Sequence, residues 1–147
     1  MKTRVDTLIK VVELRKEQAS RDLQNARNRL DALQKELGDK VKARKDAEGY
    51  IDAFGRRGSE PNSLSLHGLW IDSLYRSIKL LSREIEAQEE KIAYCQDALE
   101  RVYLELKALT QYKQTIQDRH KATIAGLESK ELDEIAGRKH NRGAQTI

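Results

Sequence analysis

The chain has 147 residues, of which 38% are hydrophobic, 35% charged and 5% aromatic, and its formal net charge is +4. So few apolar side chains cannot fill a compact globule of this length, whereas an extended helical pair that buries one seam needs no more. The 28 basic residues are interleaved with 24 acidic ones, a weaker signal than the one-sided basic stripe expected of a dedicated nucleic-acid binder.

The first predicted arm spans residues 3–54. Stepping by four and three residues meets Val5, Ile9, Val12, Lys16, Ala19, Leu23, Ala26, Leu30, Leu33, Leu37, Lys40, Arg44, Ala47, Ile51 and Phe54. A repeat of 3.5 residues keeps a narrow apolar stripe on one side of a helix, and that stripe needs a second helix to cover it. Lys16, Lys40 and Arg44 interrupt the stripe; their stems are expected to lie along the seam with the charges reaching water. A register-setting role is the alternative. Gly38 and Gly49 lie off the seam and soften the helix by roughly 1 kcal/mol each relative to Ala.

Residues 55–63 hold two glycines and the only proline of the chain, which predicts a hinge. Asn62 or Ser63 is placed to cap the helix that follows.

The second arm, residues 64–125, is the most regular stretch. From Leu74 to Ile116 the same alternation gives Leu74, Ile78, Leu81, Ile85, Gln88, Ile92, Cys95, Leu99, Val102, Leu106, Leu109, Lys113 and Ile116, with neither Pro nor Gly between them. Two equal heptad arms joined by a short hinge predict an antiparallel hairpin. Folding about Pro61 sets Val5 near Ile116 and Phe54 near Gly68. The fold class is therefore all-α: a long two-helix antiparallel coiled-coil hairpin, with a C-terminal helical extension over 126–147. That extension ends in Gly137 and basic residues, which predicts a frayed tail overhanging the amino terminus. His120 falls on the seam, where a partly buried structural imidazole is expected.

No apolar run approaches the ~20 residues of a membrane span, and the amino terminus lacks the features of a signal peptide. The lone Cys95 sits on the seam without a disulfide mate, so the chain reads as cytoplasmic, with no direct membrane insertion. His67, His120 and His140 are far apart, and no Cys or His stands at metal-ligand spacing. No phosphate loop is present, and carboxylates on a rod have no pocket to tune them. A non-enzymatic protein without cofactor or metal is the expectation.

Two groups remain once the seam is accounted for. Leu8, Val11 and Leu14 make the amino-terminal segment apolar beyond one stripe, with Arg4 and Arg15 beside them. Either the tail residues Ile124, Leu127, Leu132 and Ile135 fold over this segment, or it enters another protein. Near the hinge, Tyr50, Phe54, Trp70, Leu74 and Tyr75 gather most of the large aromatics; they either seal the turn or bind a partner, since Trp and Tyr are enriched in binding hot spots.

The opening Leu8-Ile9-Lys10-Val11-Val12-Glu13-Leu14-Arg15, followed by Glu17-Gln18-Ala19 and a heptad run, resembles the FliJ/YscO family of the type III export apparatus. The ending Glu131-Leu132-Asp133-Glu134-Ile135-Ala136 before basic residues is similar to that of the flagellar members. The resemblance implies a central stalk of the export ATPase. The end bearing both termini would sit in the hexameric ATPase ring, with Arg4, Leu8, Val11, Leu14 and Arg15 facing it. The hinge patch Tyr50, Phe54, Trp70, Leu74 and Tyr75 would face the cytoplasmic domain of the export gate membrane protein. The resemblance also implies export chaperones as partners, and a location at the inner face of the cell membrane through those partners. The other readings are a generic scaffold, a prefoldin-like chaperone subunit, and a nucleic-acid-gripping arm using Arg56 and Arg57. The short Gly/Arg-rich connection has no room for prefoldin's β-hairpins, and the mixed charge gives little footprint for nucleic acid.

Overall fold

A computed structural model describes residues 3–56, 58 and 61–145. The described chain forms two helices, α1 (Arg4–Arg56) and α2 (Pro61–Gln145). They pack against each other in an antiparallel hairpin, and the described residues contain no strand. The all-α hairpin expected from the heptads is the fold observed.

Local chemistry fixes where α1 begins. The Thr3 hydroxyl oxygen accepts from the Asp6 N–H at 3.3 Å, and an Asp6 carboxylate oxygen accepts from the Thr3 N–H at 3.1 Å. This reciprocal pair satisfies two N–H groups that a helix start leaves unpaired. The same carboxylate meets Lys113 Nζ at 2.6 Å, which ties the first turn of α1 to α2. The Lys113 ammonium, together with the Thr3 N–H, lowers the Asp6 carboxyl from 3.8 to about 2. A depressed folded value stabilises the fold above the unfolded pKa and is lost as pH falls through the folded one. The contribution of Asp6 is therefore complete above about pH 4 and disappears towards pH 2. An NMR titration should find the Asp6 midpoint near 2 and return it towards 3.8 in Lys113→Ala; an unchanged midpoint would contradict this contact.

The chain divides into two units, Arg15–Val102 and Met1–Leu14 with Tyr103–Ile147. In the first, Leu23, Ala26, Leu33 and Ala47 of α1 are buried, as are Leu74, Leu81, Ile85 and Val102 of α2. Leu33, Leu81 and Ile85 form its centre, and Leu30 and Leu37 pack against them. All of these are seam positions. Gln88, a polar residue in the stripe of α2, donates its side-chain N–H to the Ala26 carbonyl at 3.0 Å. A polar seam group bonded across the interface penalises other registers. Arg44 is half-buried in the seam, but its charge does not simply reach water as expected: the guanidinium lies 5.2 Å from the Tyr75 ring centre, and the buried Nε is 3.8 Å from Glu48. Lys16 and Lys40 are half-buried. Arg29 and Glu84 pair at 3.9 Å with both side chains more than half exposed, so this contact adds little stability.

In the second unit Val12 is buried, while Val5, Ile9, Leu106, Leu109 and Lys113 are half-buried. After Lys113 every side chain through Gly143 is exposed. His120 is among them, so it is not the half-buried imidazole expected of a seam position. The tail does not lie over the amino-terminal segment, because Ile124, Leu127, Leu132 and Ile135 are exposed, as are Leu8, Val11 and Leu14. Nor does α2 fray at Gly126 or Gly137. Each glycine costs about 1 kcal/mol against Ala, and no proline breaks the ladder.

The turn is centred on Gly58 rather than Pro61. Tyr50 stacks on His67, Gln88 bonds Ala26, and Asp6 meets Lys113, each pair being roughly symmetric about Gly58. Gly58 has φ 76°, a left-handed conformation that only glycine adopts freely. Pro61 opens α2, where its fixed φ suits a helix and its missing N–H leaves nothing unpaired. Asn62 and Ser63 accordingly lie inside α2 and do not cap it. Of the loop arginines named for phosphate contacts, Arg57 and the side chain of Arg56 lie outside the described residues.

Candidate functional site

The amino-terminal group lies on one flank of α1. Arg4, Leu8, Val11 and Arg15 recur at four, three and four residues, beside the seam line of Val5, Ile9 and Val12. Leu8 is 51% exposed, Val11 49% and Leu14 58%, with Leu14 turned further outward. Large aliphatic residues at this level of exposure, side by side in one turn after another, form a docking surface more readily than isolated ones. Below this flank, Val5 and Ile116 line a groove of about 300 Å³ with Asp6, Lys113 and Gln117. The ion pair at its edge fixes the backbone that presents Leu8. Arg15 opens the other unit and is engaged by a contact of its own.

The hinge group does not form one patch. The Tyr50 ring stacks between Phe54 and His67, with ring centres 4.1 Å away on each side. His67 is anchored by its Nδ1 to the Ser63 carbonyl at 2.9 Å. This stack closes the seam where the helices meet the turn, so Tyr50 and Phe54 are half-buried. Leu74 is only 2% exposed and belongs to the core, which removes it from any contact surface. Trp70 and Tyr75 are exposed, but five residues apart on a helix they flank the seam on opposite sides. Tyr75 carries the Arg44 guanidinium on its face.

Two residues absent from the aromatic reading join Trp70. Leu66 is 66% exposed and Leu69 63%; Leu69 and Trp70 stand three and four residues after Leu66, which puts all three on one side of α2. An aliphatic pair beside a tryptophan was legible in the sequence as an i, i+3, i+4 set lying off the seam. His67 was likewise legible as the seam position one heptad before Leu74.

Among the described residues no three His, Cys, Asp or Glu side chains gather where they could hold a metal ion. No helix among them is long and apolar enough to cross a membrane. Asp6 is held ionised by a lysine partner, as a structural carboxylate is.

Neither the curated proteins nor the solved structures hold a match to this chain. The sequence model of the flagellar FliJ protein family does match it, over residues 1–145. With nearly the whole chain covered and the helical hairpin in place, the protein belongs to the FliJ family of the flagellar export apparatus.

Proposed function

We propose that this chain is the non-enzymatic stalk that links the export ATPase ring to the export gate. The observation that carries the reading is the exposed flank of Leu8, Val11 and Leu14 beside Arg4 and Arg15, left uncovered by the chain's own tail. In this reading that flank faces the pore of the ATPase hexamer. An asymmetric hairpin cannot match six equivalent subunits with one rigid interface. Small aliphatic and basic contacts that break and re-form readily suit such a seat. Trp70, with Leu66 and Leu69, faces the cytoplasmic domain of the gate, and Tyr75 makes a second contact on the other flank. Tyr50 and Phe54 support these residues from inside the turn. Export chaperones are further partners on the same surfaces, and the protein reaches the membrane only through the gate.

Binding to the gate's cytoplasmic domain tests the hinge end. Trp70→Ala with Tyr75→Ala should weaken that binding about a hundredfold, in keeping with the loss of two exposed aromatic anchors. Helicity should not change, since neither side chain is buried. Full binding by the double variant would remove these residues from the gate contact. Loss of helicity would show that they hold the turn instead.

A further inference from the structure

We infer that the flank of α2 carrying Trp70, Leu80 and Tyr94 is a self-association surface, and that its occupant is the same flank of a second copy running antiparallel. Counted against the seam, Leu66, Ser73, Leu80, Ala87 and Tyr94 recur at every seventh residue. Trp70 lies on the same flank, offset from this line by three and four residues. Leu80 is 58% exposed and Tyr94 74%, so the large members of this second stripe stand in water. A heptad stripe beside the main seam is the pattern that a further helix covers.

Charge and shape select the partner. Outside the stripe, Arg76 and Arg83 precede Glu90 and Asp97, again at seven-residue steps. A parallel pair of copies would set like charges together at every step. An antiparallel pair with its two-fold axis at residues 82–83 brings Arg76 within reach of Glu90 of the other copy and lays Leu80 along the aliphatic stem of Glu84. It also sets Trp70 against Tyr94 and the small Ser77 against Ala87. Each contact occurs twice, as an isologous interface requires. The one like-charge contact is Arg83 against its own copy at the axis. The contact runs from Trp70 to Tyr94, about 36 Å at 1.5 Å per residue, and is one helix wide. Surfaces of that size give weak, reversible pairs. The pair covers Trp70, so it excludes the gate contact proposed above, although its own argument does not depend on that contact.

Sedimentation equilibrium of the full chain over a concentration series tests the inference. The expected result is a reversible monomer–dimer equilibrium. Trp70→Ala and Arg76→Glu should each weaken it about tenfold, while Arg83→Ala should tighten it. Arg76→Glu and Glu90→Arg chains should each associate poorly alone, and a one-to-one mixture should recover the dimer. All four side chains are exposed, so unchanged circular dichroism is expected for every variant. A chain that stays monomeric throughout the series would overturn the inference. So would a dimer that Trp70→Ala leaves intact, or one that Arg83→Ala weakens.

Discussion

Leu33→Ala is expected to destabilise the hairpin by about 2–5 kcal/mol, the range for removing a buried leucine side chain from a core that closes incompletely around the gap. Leu33 is 2% exposed and sits between Leu81 and Ile85, with Leu30 and Leu37 above and below it on α1. A two-helix hairpin has no second layer to relax into such a space. The exposed Leu80 provides the contrast: Leu80→Ala should stay within about 0.5 kcal/mol. Urea unfolding followed by circular dichroism at low protein concentration measures both. Equal effects of the two substitutions would mean that the seam does not carry the stability. The region after Lys113 should melt independently, since no described side chain from Gln114 to Gly143 is buried. Most helical stability in proteins comes from packing an apolar face, and this stretch packs none.

The seam was legible because a coiled coil states its contacts in its period. The predicted positions from Val5 to Phe54, and from Leu74 to Lys113, are buried or half-buried in the structure. Ile116 is the exception. It lies where α1 has just begun, with too little helix opposite to cover it. The turn was less legible, because a proline in a loop reads as its apex when it also suits the first turn of a helix. Gly58, not Pro61, supplies the left-handed residue on which the chain reverses. The capping pair Thr3–Asp6 carries no apolar signal, so a search for periodicity passes over it. Among the site residues, composition pointed to the aromatics as a group, but whether each faces water depends on its place in the heptad. Leu74 is on the seam and buried; Leu66 and Leu69 are off it and exposed.

The second large effect is expected at the amino-terminal flank. Leu8→Ser with Val11→Ser should reduce stimulation of the partner ATPase at least tenfold if this flank seats in the ring. Both residues are about half exposed and off the seam, so the hairpin should keep its helicity and melting behaviour. Substituting Val12, which is buried in the same turn, should unfold the amino-terminal unit instead. The two outcomes separate a docking surface from a packing surface one residue apart. A Leu8/Val11 variant that stimulates fully would place the ring contact elsewhere on the chain.

ATP turnover by the partner ATPase, titrated with this protein, tests the stalk reading most directly. A single hairpin in the pore of a hexamer must act once per six subunits. Stimulation should therefore rise steeply and saturate near one chain per six ATPase subunits, at concentrations where the chain is monomeric. Saturation near one chain per ATPase subunit, or no stimulation at any ratio, would contradict the central position proposed for it.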